Sequence, residues 1–311
     1  MDLIDTKDFC QRPCPQCSRT ESRVTVSASS PADQQELNNL TQAWFGFFKT
    51  PVFFDFHRCS HCGLLYNKRF FSPETLEKLY SQLPDNTAGQ DIYNLRKTQQ
   101  GYYRFLEKEA EVRGNYLELG PDIGLFTEFV SRTPVVEKLF LFEPNEAVYP
   151  ELERAAGSKP YHIFSGLFDF SEVADNSIQT AVAIHVLDHL LNPQQFIKEL
   201  FKKLAPGGTL LIVTHNERSL LARVLKRRWP AHCLQHPQLF NFQSTKSFLE
   251  NCGFRQVKTK RSINYFTLSY LFKHLAWALG FQKIKMPRIL NFALPLPLGN
   301  IMTVAKRPSE N

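Results

Sequence analysis

At 311 residues and 43% hydrophobic content, including 27 Phe, the chain can build one large domain or a medium one with an appended module. Its net charge of +7 is unevenly spread, because residues 218–311 hold sixteen Lys or Arg against only Glu250 and Glu310. That asymmetry points either to an anionic partner near the C-terminal third or to a solvated basic surface. Met1–Phe9 carries three Asp and no apolar run, so no secretory signal is expected. The longest apolar stretch, Phe266–Phe281, is broken by Lys273 and His274 and is too short to span a bilayer. With seven Cys and no signal, metal ligation is expected over disulfides, and a cytoplasmic location follows as the default.

In chain order, two knuckle-like pairs come first, Cys14-Pro15-Gln16-Cys17 and Cys59-Ser60-His61-Cys62-Gly63. Each Cys-x-x-Cys turn aims two thiolates at one ion, so Cys14, Cys17, Cys59 and Cys62 form a candidate tetrahedral Zn²⁺ site. With four Cys ligands no coordination position stays open, and the ion is expected to be structural. Cys10 lies outside the paired spacing. The aromatic segment Trp44–Phe56 is expected to fold as a hairpin around the metal. Ser72-Pro73-Glu74 starts a helix, and a second helical stretch covers about Asn94–Val112.

After Gly114 short apolar strands alternate with helices. Strands are expected at Tyr116–Leu119, Lys138–Phe142, Tyr161–Phe164, Thr180–Ile184 and Thr209–Val213. Helices are expected at Leu125–Arg132, Asn145–Ala155, Val186–Leu191 and Pro193–Leu204. This order implies an α/β fold with a parallel sheet covered on both faces. A helix at Thr245–Cys252 and strands at Phe254–Lys260 and Asn300–Ala305 follow, flanking an aromatic, basic insertion at Phe266–Pro297. The expected division is a zinc-binding module at 1–70, a helical linker or lid at 71–113, and the sheet domain at 114–311 with its insertion at about 262–298.

The strand ending in Glu118, the turn to Gly124 and the next strand ending in Glu143 form a βαβ unit suited to a nucleoside cofactor. NAD fits poorly, since its glycine fingerprint needs Gly where Asp122 and Leu125 stand.

Glu118-x-Gly120-x-x-x-Gly124, Glu143, Asp175-Asn176-Ser177, His185-Val186-Leu187-Asp188-His189 and Leu204-Ala205-Pro206-Gly207-Gly208 together resemble a class I S-adenosylmethionine-dependent methyltransferase. The resemblance spans about residues 100–260 and implies a doubly wound, Rossmann-like, seven-stranded sheet. More loosely, the Cys-x-x-Cys pairs ahead of such a core resemble a bacterial sugar C-methyltransferase-like subgroup. By position, Glu118, Gly120, Pro121 and Asp122 form the turn beside the methionine moiety. Gly124 lets the helix approach the cofactor, and Glu143 takes the ribose hydroxyls. Leu167 stands where the family usually has an acid for adenine, leaving Phe168 to offer a backbone amide and ring packing.

Methyl transfer needs an aligned acceptor and often a base. His185, just beyond the fourth strand, and His189 are candidate bases, with Asp188 placed to fix a tautomer. His215, Tyr102, Tyr103, His232 and His236 are further pocket candidates, more simply read as structural. No Asn-Pro-Pro-Tyr, Asp-Pro-Pro-Tyr or Pro-Cys follows the fourth strand, which argues against a nucleic-acid acceptor. The expected acceptor is a small or carrier-linked molecule, a nucleotide-activated sugar being one candidate. Two other readings are a catalytically degenerate cofactor-binding scaffold and a membrane-surface enzyme with a lipid acceptor.

Overall fold

The computed structural model describes residues 6–44, 51–81, 91–166, 169–278 and 292–309. Seven strands make the central sheet: β1 (Gly114–Leu119), β2 (Val136–Phe142), β3 (Tyr161–Phe164), β4 (Ile178–Ile184), β5 (Leu204–His215), β6 (Arg255–Arg261) and β7 (Asn300–Lys306). They lie in the order β6-β7-β5-β4-β1-β2-β3. β1 to β5 run parallel, whereas β7 is antiparallel to both β5 and β6. The sheet strands expected from sequence are all present, extended by a residue or more at half of their ends.

Strand alternation sends neighbouring side chains to opposite faces. On one face Leu117, Leu119, Ala181, Ala183, Leu210 and Ile212 pack with Ile197, Leu200 and Phe248 from α4 (Pro193–Lys203) and α5 (Phe242–Asn251). On the other, Tyr116, Val182, Leu211 and Val213 pack with three helices. These are α1 (Ile92–Glu109), α2 (Thr127–Ser131) and α3 (Tyr149–Ala156). Glu118 shares its face with Tyr116, and its carboxylate meets Thr127 of α2.

Two local expectations change. The stretch Val186–Leu191 forms only one 3-10 turn, Leu187–His189, because His185 is left-handed (φ 55°) and Leu190 returns to extended backbone. The predicted aromatic hairpin does not form among the described residues: Trp44 closes the helix Leu37–Trp44 and Phe56 opens the strand Phe56–Cys59, while 45–50 lie outside the description. Phe53, Phe54 and Trp44 instead pack with Phe70 and Phe71 in a separate cluster. Within the insertion, Asn264–Thr267 pairs with Ala293–Leu296 and is followed by the helix Leu268–Ala278; 279–291 lie outside the description. No helix among the described residues is long and apolar enough to cross a membrane.

The strands Ser22–Val26, Phe56–Cys59 and Leu65–Asn67, which adjoin the cysteine turns, form a four-stranded sheet whose last strand, Gln238–Leu239, comes from beyond β5. The start of the chain is thereby tied to the segment that follows β5.

Candidate functional site

The turn after β1 places three left-handed residues at alternate positions: Gly120 (φ 61°), Asp122 (φ 52°) and Gly124 (φ 75°). Asp tolerates this region better than most residues, and here its N–H is held by Glu143 Oε2 at 2.9 Å. Gly124 also serves the packing of a neighbouring helix. A Cβ there would lie 2.5 Å from Ala155 Cβ and 3.0 Å from Leu152 Cδ1, so the missing side chain admits α3. Pro121 is buried, and its carbonyl accepts from the Gly124 N–H at 2.9 Å.

Glu143 follows β2 and is 6% exposed. Its Oε1 accepts from the Asn145 N–H and its Oε2 from the Asp122 N–H, both at 2.9 Å. Burial raises its pKa, opposed by these two amides. Each oxygen keeps a further lone pair, enough for a pair of vicinal hydroxyls. Glu118 Oε2 accepts from Tyr116 OH and Thr127 Oγ1, each at 2.7 Å. Burial, with the charge of Glu143 adding to it, pushes Glu118 up to about 7. Two buried carboxylates beside one turn favour a cationic ligand and oppose the pyrophosphate of a dinucleotide. These groups fit S-adenosylmethionine, which carries a sulfonium, an ammonium and a ribose. Leu167 and Phe168 lie outside the described residues. Beyond them, Asp169 Oδ1 accepts from the Ser171 N–H at 2.9 Å.

At the carboxyl ends of β4 and β5 the sheet gathers a cluster of imidazoles. Asp188 is fully buried, and its Oδ2 accepts from the His215 backbone N–H at 2.9 Å and contacts His215 Nδ1 at 2.8 Å. The carboxylate therefore orients His215. His185 and His215 have ring centres 4.7 Å apart, as do His215 and His236, while His189 meets His236 edge-on at 4.6 Å. His236 Nδ1 lies 2.9 Å from the Ala231 carbonyl, which selects the tautomer with the lone pair on Nε2. Burial holds His185 down to about 3 and His215 and His236 to about 4, and drives His189 well below its ordinary value. The cluster is thus one of neutral imidazoles around a carboxylate.

His215 and His236 ranked low in the sequence because their neighbours are far away in the chain. His232 packs against Phe56 and Trp229, Tyr103 bonds Thr133 Oγ1 at 2.6 Å, and Tyr102 receives Asn264 at 3.3 Å. Two residues that sequence reasoning missed hold the Leu187–Leu191 loop. Gln238 Nε2 donates to the Leu187 and Leu190 carbonyls, both at 2.7 Å. Arg12 donates to the Leu191 carbonyl at 2.7 Å and to Gln238 Oε1 at 2.9 Å.

The four paired cysteines converge. Cys14 and Cys62 sulfurs are 3.4 Å apart, Cys17 and Cys59 are 3.5 Å apart, and all four lie within 4.8 Å of one another. A tetrahedron with Zn–S bonds of about 2.3 Å spaces its sulfurs by about 3.8 Å. Both knuckles close alike: Ser18 N–H bonds the Cys14 carbonyl and Gly63 N–H the Cys59 carbonyl, with Ser18 and Gly63 both left-handed. Arg12 is 7% exposed and donates only to carbonyl oxygens, with no carboxylate pair among the described residues. Burial lowers it to about 10, and Cys10, Cys14 and Tyr66 oppose the shift. A metal held by four thiolates carries net negative charge and would balance this buried guanidinium. Cys10 stands apart, its sulfur 3.4 Å from the Phe71 carbonyl.

Beside the second knuckle lies a polar cleft of about 460 Å³, bordered by Arg23, Arg58, Arg218 and His61. Arg58 pairs with both oxygens of Glu217 at 3.0 Å, two residues beyond His215.

No curated protein matches the chain. Among solved structures it is similar to a putative methyltransferase from Bacillus halodurans (13% identity, TM-score 0.46, covering 68% of this chain and 100% of that one). It is also similar to a SAM-dependent methyltransferase from Archaeoglobus fulgidus (18% identity, TM-score 0.47, covering 68% and 94%). A third is a possible histamine N-methyltransferase from Thermotoga maritima (16% identity, TM-score 0.46, covering 69% and 89%). The family profile described as "Methyltransferase domain" matches residues 92–259, more than half of the chain. That span carries the acid-flanked turn, β1 to β5 and the histidine cluster, and the chain belongs to this family as an S-adenosylmethionine-dependent methyltransferase.

Proposed function

We propose that the chain methylates a small or carrier-linked acceptor bound at the histidine-rich ends of β4 and β5. S-adenosylmethionine, when bound, supplies a methyl group on a positively charged sulfur. Glu143 takes the two ribose hydroxyls, Glu118 faces the cationic methionine end, and Gly120, Pro121 and Asp122 shape the turn between them. Leu167 and Phe168 are proposed for the adenine side. The observation that carries the acceptor side is the fixed tautomer of His236, whose Nδ1 is committed to the Ala231 carbonyl. Its Nε2 would take the acceptor's proton as the methyl group is transferred. His189 packs edge-on against that ring, while His185 and Asp188 lie against His215, whose ring centre is 4.7 Å from that of His236. The arginine-lined cleft supports an acceptor with an anionic portion, such as a nucleotide-activated sugar.

His236→Ala is expected to bind S-adenosylmethionine with wild-type affinity and to lose methyl transfer by about 100-fold or more, the usual scale for a general base. Transfer of labelled methyl to a panel of nucleotide sugars, with calorimetric cofactor titration, measures both. Wild-type turnover in the variant removes His236 from the chemistry. Cofactor binding with no transfer to any acceptor favours the scaffold reading.

We also propose that Cys14, Cys17, Cys59 and Cys62 hold a structural Zn²⁺, within a module at 1–70 joined by a helical segment at 71–113 to the domain at 114–311. Two of the ligands, Cys14 and Cys59, pack in the same cluster as Leu117, Phe240 and Phe248. Removing the ion should therefore destabilise the sheet domain as well as the knuckles. Metal analysis should return tightly held zinc, and Cys14→Ser should lose it and melt at a lower temperature. An unchanged melting curve after zinc is stripped would sink this assignment.

A further inference from the structure

We infer that His185, Asp188 and His215 form a second metal site, separate from the cysteines, which binds a divalent first-row cation and presents it to the acceptor. The inference rests on the reading that this end of the sheet meets the acceptor.

Each of the three residues offers a ligand atom, and these atoms lie within 4.8 Å of one another. His185 Nδ1 and Asp188 Oδ1 are buried without a hydrogen-bond partner. A buried polar atom left unsatisfied is costly, the more so when charged, and a cation that takes the place of the Nδ1 proton satisfies both atoms at once. Asp188 Oδ2 stays engaged with the His215 backbone N–H, so the carboxylate is held in place while Oδ1 is free to ligate. His185 occupies left-handed backbone (φ 55°) immediately after β4. Such a conformation in a non-glycine residue is characteristic of functional positions, and here it turns the ring toward His215.

Two imidazoles and one carboxylate make up the ligand set of catalytic zinc and non-haem iron sites, which keep coordination positions open for substrate. Bonds of about 2.1 Å place tetrahedral ligand atoms about 3.4 Å apart, so the triad closes by at most about 1.4 Å around an ion. Asn300 Nδ2 lies 3.2 Å from His185 Nε2. Turning that amide by 180° on metal binding brings its oxygen to the ring, where it accepts the Nε2 proton and leaves the Nδ1 lone pair for metal, the outer-shell support that histidine ligands normally have. An ion in this position contacts an acceptor oxygen or nitrogen and makes its proton easier to remove. His236, 4.7 Å from His215 between ring centres, stands beside it to take that proton.

The test is a titration of Co²⁺ into the full chain after Zn²⁺ has filled the cysteine site, followed by calorimetry and visible absorption. One further equivalent is expected, with bands of nitrogen and oxygen ligation and no thiolate charge-transfer band. His215→Ala and Asp188→Asn should weaken that binding by at least about 100-fold, beyond the 10–100-fold typical of outer-shell changes. In the wild-type chain, proton NMR should show hyperfine-shifted ring signals from His185 and His215, which keeps the test valid if a variant misfolds. Absence of the second equivalent, a thiolate spectrum, or unshifted histidine signals overturns the site. These readouts need no turnover, so a chain that binds Co²⁺ here but methylates no acceptor retains the metal site and loses the proposed reaction.

Discussion

Glu143→Ala is expected to lower affinity for S-adenosylmethionine by about 100-fold or more. In the folded chain this carboxylate already accepts the Asp122 and Asn145 amides, and its remaining lone pairs are the ones proposed for the ribose hydroxyls. Hydrogen bonds to a charged group contribute about 1.5–3 kcal/mol each, so losing two costs at least about 3 kcal/mol, or about 100-fold. The alanine variant also frees the Asp122 N–H and with it the left-handed turn. Glu143→Gln separates the effects, because it keeps an acceptor for one amide while removing the charge. Its expected loss is smaller, about tenfold. Calorimetric titration measures both, and wild-type affinity in the alanine variant removes Glu143 from the cofactor site.

The second large effect is a pH dependence set by Glu118. Its folded pKa of about 7 stands above the ordinary value of 4.5, with burial as the main cause. The acid is therefore favoured in the folded, cofactor-free state while protonated. That contribution is complete below about pH 4.5 and is lost as pH rises through about 7, costing about 3 kcal/mol by pH 8. Glu118→Gln keeps an oxygen for Tyr116 and Thr127 and should be more stable than the wild type at pH 8, with little difference at pH 4.5. A cationic cofactor favours the ionised carboxylate, so binding near pH 6.5 should release a proton from the wild type and none from the variant. Titrations in buffers of different ionisation enthalpy detect that proton. Equal binding enthalpies across buffers would exclude Glu118 as the titrating group.

What could be read from residue order alone follows from local physics. Apolar runs of strand length separated by helical spacing predict the alternating sheet, and the Glu118–Gly124 turn with Glu143 predicts a nucleoside site, because both depend on residues close in the chain. The two Cys-x-x-Cys knuckles were legible for the same reason, although their meeting, with Cys17 and Cys59 sulfurs 3.5 Å apart, is tertiary. The contacts that shape the acceptor end were not legible. Asp188 suggested a partner three residues away but orients His215, twenty-seven residues on, because β4 and β5 lie side by side in the sheet. His236 enters through the Gln238–Leu239 strand that completes the cysteine-bearing sheet, and Arg12 reaches the Leu187–Leu191 loop from the start of the chain. Gly124 illustrates the division: its left-handed turn is local, whereas the close approach of Leu152 and Ala155 that requires a glycine is set by how α3 packs on the sheet. Backbone pattern and turn chemistry act over a few residues and leave their mark in sequence, while strand order and packing alone decide which distant polar groups share a buried space.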